Sequence, residues 1–194
     1  MKFNNHSFRK AVIEWNYNQQ EAESEYGHIS TWDTSEVTDM RFLFRGYSEF
    51  NDDISNWNLS QVTDMHEMFW GAAAFNQNIG KWDVSQVTDM RDMFKNAFAF
   101  NQNIGQWDVS QVTDMCSMFY GAKAFNQNIG KWNVSKVRDM TVMFYGATTF
   151  NQDIGQWPIR RYIDTGYMFD HSGMSAKTFK GIYGKKIAQI FNLE

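Results

Sequence analysis

The chain has 194 residues with a net charge of −4, and 17% of its residues are aromatic. It contains one cysteine and one proline, which exclude a disulfide framework, a cysteine-based metal site and a proline-rich linker. Residues 29–176 carry 11 basic and 17 acidic side chains, whereas residues 177–194 carry 4 basic and 1 acidic. This mildly acidic body disfavours nucleic acid as a partner.

The first predicted element is an amphipathic helix over about residues 5–23. Phe8, Ala11, Val12 and Trp15 follow the i, i+3, i+4, i+7 spacing of one helical face. The chain start has no uninterrupted apolar run and no stretch is long enough to span a membrane, so we expect no signal peptide and no membrane insertion. On these grounds the sequence as written predicts a cytoplasmic protein.

From residue 29 a 25-residue pattern occurs six times without insertion or deletion. Its register is marked by six tryptophans: Trp32, Trp57, Trp82, Trp107, Trp132 and Trp157. Columns of Ile, Val, Met, Phe and Asn keep the same register. A period of this size predicts stacked repeats. The predicted organisation is a single structural domain with a helical cap (1–28), six repeats (29–53, 54–78, 79–103, 104–128, 129–153 and 154–178) and a C-terminal cap (179–194).

Within one repeat the apolar pattern predicts a strand followed by a short helix. Ile79, Trp82 and Val84 match the strand signature of leucine-rich repeats. The next apolar residues of the same repeat follow a helical stripe: Val87, Met90, Met93, Phe94 and Ala97. We therefore predict an α/β fold, a right-handed solenoid similar to leucine-rich repeats, with a parallel sheet and an N-terminal capping helix. Caps at both ends favour a monomer.

These columns resemble the BspA-like leucine-rich-repeat family, in its mycoplasma-type branch with repeats of about 25 residues. The segment that carries the resemblance is WDVSQVTDMRDMFKNAFAFNQNI from Trp82, and the match extends over about residues 28–170. The resemblance implies a leucine-rich-repeat-like solenoid of the kind found on bacterial surface proteins that mediate adhesion or host contact. It implies no catalytic residues, and it implies a cell-surface or secreted location if a leader has been removed.

Three columns are interpreted as structural. The tryptophans could form a stacking platform for a ligand, but their inward strand position favours a buried core in which each indole N–H needs an acceptor. An aspartate column could hold cations: Asp39, Asp64, Asp89, Asp114, Asp139 and Asp164. No calcium-type loop surrounds these residues, so we expect them to accept backbone N–H groups at helix starts, with no metal. The asparagines that follow each closing phenylalanine predict an asparagine ladder.

The candidate binding positions are those where the repeats differ. Polar residues flank each tryptophan, and the candidates among them are Lys81, Asp83, Gln106, Asp108, Lys131 and Asn133. A second strip of candidates holds three aromatic residues aligned at repeat spacing: Trp70, Tyr120 and Tyr145. Exposed aromatics at repeat spacing are typical of interfaces. The sequence leaves two alternatives open, a merely solvated polar strip and aromatic rings that pack against the next repeat.

These observations predict a non-enzymatic module for protein recognition or adhesion, with a protein partner and no cofactor. The four histidines fall at unrelated repeat positions, and neither a phosphate-binding loop nor a GxSxG motif occurs. The alternative is a structural spacer or an assembly-forming repeat protein. An enzyme or a metal-dependent protein ranks last.

Overall fold

The computed structural model describes residues 2–159 and 163–174 of the chain. It begins with two helices, α1 (Asn5–Tyr17) and α2 (Gln19–Tyr26), followed by a short 3-10 turn (Ile29–Thr31). The predicted single capping helix is thus interrupted at Asn18, whose side chain accepts the Glu21 N–H and starts α2. The predicted C-terminal cap, residues 179–194, lies outside the described residues.

The apolar face of α1 packs on the first repeats as predicted. Side chains of α1 also form hydrogen bonds with groups at the exposed start of the stack. Phe8, Ala11, Val12 and Trp15 are all buried. The Asn5 side chain accepts the Thr38 N–H at 2.8 Å. The Trp15 indole donates to the carboxylate of Asp52 at 2.8 Å. The helix therefore provides partners for groups that a preceding repeat would otherwise satisfy.

After the cap, each 25-residue repeat forms one coil, and the coils stack in register. Consecutive coils are joined by parallel bridges between equivalent aspartates, from Asp39 to Asp64 and so on to Asp139 with Asp164. Each bridge is isolated, so no residue of the described ranges belongs to a strand. The prediction of an α/β strand–helix solenoid similar to leucine-rich repeats is therefore wrong, although the prediction of stacked repeats is confirmed.

The predicted helix of each repeat is instead a run of turns. In the third coil the N–H of Met93 donates to the carbonyl of Met90, three residues back. The N–H of Phe94 donates across to Met118 in the next coil. Asp92 has a positive φ of 53°, which a right-handed helix cannot accommodate. The apolar stripe is buried as predicted, but alternate N–H groups bind the next coil instead of extending a helix.

The same position adopts positive φ in all six coils: Phe42, Glu67, Asp92, Ser117, Val142 and Tyr167. The cost of this conformation is greatest for a β-branched residue such as Val142, and an isolated left-handed residue costs roughly 1–2 kcal/mol. The cross-coil hydrogen bond donated by each of these residues up to Val142 compensates for the strain.

The predicted strand also proves to be a turn. The N–H of Trp82 donates to the carbonyl of Ile79 at 3.1 Å, which closes a tight turn where an extended segment was expected. Trp82 and Val84 are buried and Asp83 is exposed, so the predicted alternation of buried and exposed residues is confirmed. Alternation over so few residues is compatible with a turn as well as with a strand.

The core consists of stacked columns of identical side chains. The Trp107 ring lies 6.5 Å from both the Trp82 and the Trp132 ring, nearly parallel to each. From Trp57 onwards each indole N–H donates to an isoleucine carbonyl of the preceding coil at 3.0–3.2 Å. The prediction of a buried tryptophan column with buried acceptors is confirmed, and a tryptophan binding platform is excluded.

A second column stacks phenylalanine rings 5.4–5.7 Å apart, from Phe44 to Phe169. The asparagine ladder is also confirmed. The Asn76 side chain accepts the N–H of Asn101, whose own side chain accepts the N–H of Asn126 at 3.0 Å. Side-chain and backbone bonds between equivalent residues thus hold the coils in one register.

Candidate functional site

The polar residues that flank each tryptophan form two exposed rows on the outside of the stack. The row that follows the tryptophans has a structural role that the sequence analysis missed. The side chains of Asp83, Asp108 and Asn133 accept the N–H of the serine two residues later at 3.0–3.2 Å. Hydrogen bonds from Ser110 lower the pKa of Asp108. The need for an acceptor in this turn explains why the row contains Asp or Asn in five coils.

The row that precedes the tryptophans carries no such constraint. Lys81, Gln106 and Lys131 are exposed. Among the described residues no hydrogen bond or ion pair involves their side chains. They form a solvated polar row whose residue type is free to vary, so the sequence and structure agree on its position and exposure.

The three aromatic candidates lie together in a continuous stripe with two cations. We define the cation–aromatic stripe as the residues at one position of five successive coils: Arg45, Trp70, Lys95, Tyr120 and Tyr145. The Arg45 guanidinium lies 4.1 Å from the centre of the Trp70 ring, and the Lys95 ammonium lies 5.0 Å from it. The Lys95 ammonium also lies 5.2 Å from the Tyr120 ring, which stacks on Tyr145 at 4.9 Å.

This arrangement covers the ring faces and leaves the ring edges outward. Trp70 has Arg45 from the preceding coil on one side and Lys95 from the following coil on the other. Tyr120 lies between Lys95 and Tyr145 in the same way. All three rings are half-buried. The aromatic strip therefore packs from coil to coil, and its edges remain available at the surface.

Carboxylates lie beneath the two cations of the stripe. Arg45 pairs with Glu67 at 3.0 Å, and the side chains are 48% and 16% exposed. Lys95 pairs with Asp92 at 2.9 Å, and the side chains are 25% and 19% exposed. The paired oxygens of Glu67 and Asp92 are themselves fully covered. The positive partner of each pair is thus the more accessible one.

The aspartate column accepts backbone hydrogen bonds, as predicted, but at turns and not at helix starts. Each carboxylate accepts the N–H two residues later, as Asp114 does from Cys116 at 2.9 Å. Burial raises the pKa of Asp114, and the neighbouring carboxylates of Asp89 and Asp139 raise it further. The arrangement therefore disfavours the charged form of Asp114.

At Asp39, the first aspartate of the column, the pKa is lowered instead of raised. Burial acts to raise the pKa of Asp39 as well, but hydrogen bonds and charge from Arg41, with the charge of Arg9, outweigh it and lower the pKa. Arg41 is bound to Asp39 at 2.7 Å, and Arg9 lies 3.6 Å away. Equivalent aspartates thus differ in pKa because their cationic neighbours differ.

We expect Asp114→Asn to stabilise the protein at neutral pH, because the amide keeps the acceptor for the Cys116 N–H and removes a disfavoured charge. The raised folded-state pKa means that the wild type loses stability as pH rises from below the ordinary carboxyl pKa through the folded one. The gain should therefore be present at pH 7 and absent at about pH 3. Urea unfolding at both pH values measures it.

The matched control is Asp39→Asn, for which the sign is opposite. Its lowered folded-state pKa supplies stability above the ordinary carboxyl pKa, which is lost as pH falls through the folded pKa. This variant should be less stable than the wild type at pH 7. Shifts of equal sign for the two variants would contradict the description of the column.

One group of side chains has the composition of a metal site. Ligand atoms of Asp64, His66 and Asp89 all lie within 4.8 Å of one another. His66 is buried and its Nδ1 lies 3.1 Å from Asp64. The carboxylates of Asp64 and Asp89 already have guanidinium groups at 3.7 and 3.3 Å, from Arg41 and Arg91. These guanidinium groups compensate the charge of the two carboxylates without a metal ion, and the absence of a metal stays a prediction.

The repeat alignment places Arg45, Lys95 and Asp170 in the same column as the three aromatic residues, but the sequence analysis selected only the aromatic residues as binding candidates. The contacts of the two cations with the rings were not predicted. A similar contact was missed one turn further along the chain, where the Lys123 ammonium lies 4.9 Å from the exposed Phe98 ring.

The fold and the surface define a repeat protein of stacked 25-residue coils. The model of a family described as Mycoplasma protein of unknown function, DUF285, matches residues 11–108 and 79–182, and the chain belongs to this family. A mycoplasma-type repeat family is thereby confirmed, whereas the match is not to BspA-like leucine-rich repeats specifically. Comparisons with curated proteins and with solved structures found no match. In the described ranges no helix is long and apolar enough to cross a membrane.

Proposed function

We propose that the protein is a non-enzymatic recognition module that binds a protein partner through the cation–aromatic stripe. The observation that carries this proposal is the alignment of Arg, Trp, Lys, Tyr and Tyr at one position of five successive coils, with the rings half-exposed. Trp, Tyr and Arg are the residues most enriched among those that dominate binding energy at interfaces. Adhesion, which the family resemblance implies, is one form of such recognition.

The rigidity of the stack supports the same proposal. The stripe is held by ring contacts and ion pairs between coils, so its side chains lose little freedom when a partner binds. Four steps of about 5 Å give the stripe a length of roughly 20 Å. The exposed row with Lys81 and Lys131 is a second candidate surface, without the aromatic anchors.

The test is to capture a partner from the native source on the immobilised full-length chain and then to titrate the purified partner by biolayer interferometry. Trp70→Ala should weaken binding at least about tenfold, since it removes a central anchor. The triple variant Lys81→Ala/Asp108→Ala/Lys131→Ala on the flanking rows is the comparison and should change affinity less than about threefold.

Each outcome has a separate meaning. A loss of affinity in the row variant alone would place recognition on the flanking rows and contradict the stripe. A chain that captures no saturable protein partner would contradict recognition altogether. Thermal unfolding of each variant, followed by circular dichroism, distinguishes lost contacts from a lost fold.

A further inference from the structure

We propose that the cation–aromatic stripe binds an extended acidic segment of the partner, with the partner's carboxylates directed at the ring edges and at Arg45 and Lys95. This inference rests on the proposed function and specifies the chemistry of the partner. It follows from which parts of the aromatic rings and of the ion pairs in the stripe face the solvent.

The aromatic rings of the stripe expose their positive side. An aromatic ring is negative over its face and positive at its edge. The faces of Trp70 are covered by Arg45 and Lys95, at 4.1 and 5.0 Å, and Tyr120 lies between Lys95 and Tyr145. Cations on the faces satisfy the negative part of the quadrupole. What remains for a ligand is the edge, which attracts oxygen anions.

The exposure of the charged side chains in the stripe also favours a negatively charged ligand. Arg45 is 48% exposed above Glu67, which is 16% exposed, and the paired carboxylate oxygens of Glu67 and Asp92 are covered. A ligand that approaches from solvent therefore meets the guanidinium and ammonium groups before the carboxylates. The two cations are more exposed than the carboxylates that balance them, and the sixth coil places Asp170 in the same column.

The same geometry disfavours the other anionic or planar ligands. Sugars and nucleobases bind aromatic side chains by stacking on a ring face, and the faces of Trp70 and Tyr120 are occupied. Residues 29–176 are net acidic, which repels a long polyanion such as a nucleic acid. A short acidic peptide segment needs no free ring face, and it brings less total charge to the acidic body than a long nucleic acid does. About six extended residues span the roughly 20 Å of the stripe.

The variants are designed so that no carboxylate is left unpaired and the net charge does not change. The stripe variant combines Arg45→Gln/Glu67→Gln with Lys95→Gln/Asp92→Asn, which removes both ion pairs entirely. The control combines Lys81→Gln/Asp83→Asn with Lys131→Gln/Asp108→Asn and removes the same number of charges from the exposed rows. In the control the two amides keep the acceptors for Ser85 and Ser110.

The probe is a fluorescein-labelled octaglutamate peptide, titrated with the full-length chain by fluorescence polarisation in about 50 mM salt. We expect saturable binding by the wild type and by the control, about tenfold weaker binding by the stripe variant, and loss of binding at about 300 mM salt. A neutral Gly-Ser octapeptide should not bind. Thermal unfolding of both variants confirms that they fold.

Three results would overturn the inference. One is the absence of octaglutamate binding by the wild type, and another is equal weakening in the stripe variant and the control. The third is tighter binding of single-stranded oligothymidylate than of octaglutamate. If the peptide fails while Trp70→Ala still weakens the captured partner, the acidic chemistry is wrong and the recognition function stands.

Discussion

Trp107→Ala should lower the free energy of unfolding by about 3–5 kcal/mol, the usual cost of removing a large buried aromatic side chain. Trp107 is 4% exposed and lies between the rings of Trp82 and Trp132, each 6.5 Å away. Its indole N–H donates to the buried carbonyl of Ile79 at 3.1 Å. The substitution therefore leaves a cavity and removes one of the two hydrogen bonds that the Ile79 carbonyl accepts, since the Trp82 N–H still donates to it. The fixed register prevents neighbouring coils from closing the cavity.

Two comparisons separate these contributions in urea unfolding. Trp107→Phe keeps an aromatic ring in the column but removes the indole hydrogen bond to the Ile79 carbonyl, so its cost should be intermediate. Trp157→Ala should cost less than Trp107→Ala, because Trp157 belongs to the last repeat and stacks on Trp132 as its one described tryptophan neighbour. In that repeat Pro158 replaces the Asp or Asn of the other five coils. Equal losses at Trp107 and Trp157 would contradict a stack with a weaker end.

Asn101→Ala should cost about 1–3 kcal/mol, because it leaves the Asn126 N–H of the next coil without an acceptor. The Asn101 side-chain oxygen accepts the N–H of Asn126 at 3.0 Å and the amide group of Gln127 at 2.8 Å. The effect should be local. In hydrogen exchange followed by NMR, the Asn126 amide should lose protection more than the buried amides of other coils.

Asn101→Asp is the matched control, since a carboxylate keeps both acceptor positions. It should retain most of the protection of the Asn126 amide, whereas Asn101→Ala should not. If the Asn126 amide exchanges at the same rate in both variants, the ladder bond does not stabilise the contact between coils. The register of the coils must then be held by the aromatic columns.

Residue columns predicted the core of this protein well, because burial depends on the alternation of apolar and polar residues. Trp82, Val84 and Phe94 were assigned to the interior correctly. Register predicted the stacking and the asparagine ladder for a related reason. Identical residues at a constant spacing form identical contacts whatever the backbone between them.

The backbone itself was not predictable from these columns. A left-handed residue is normally signalled by glycine or asparagine, but here the position holds residues such as Glu67 and Val142. Spacing at i, i+3 and i+7 fits a helix, and it fits a run of turns that buries the same side chains. The hydrogen bonds that distinguish a helix from a run of turns are formed with another coil. They therefore cannot be predicted from the sequence of a single repeat.

The candidate surface was predicted in part for a similar reason. Trp70, Tyr120 and Tyr145 stand out as aromatic residues in an exposed column, whereas Arg45 and Lys95 differ from them in type. Their place in the stripe depends on contacts with rings one coil away. The row with Asp83 showed the reverse, since its Asp or Asn preference reflects a turn and carries no information about a partner.

The stripe exists only if equivalent residues of successive coils are neighbours, and a NOESY spectrum of the folded chain tests this most directly. The stack of coils predicts contacts between the Tyr120 and Tyr145 rings, whose centres are 4.9 Å apart, and between backbone protons of Asp89 and Asp114. It also predicts no helical series of contacts over residues 87–97. A continuous helical series there, without contacts between the two tyrosines, would contradict both the stack of turns and the surface built on it.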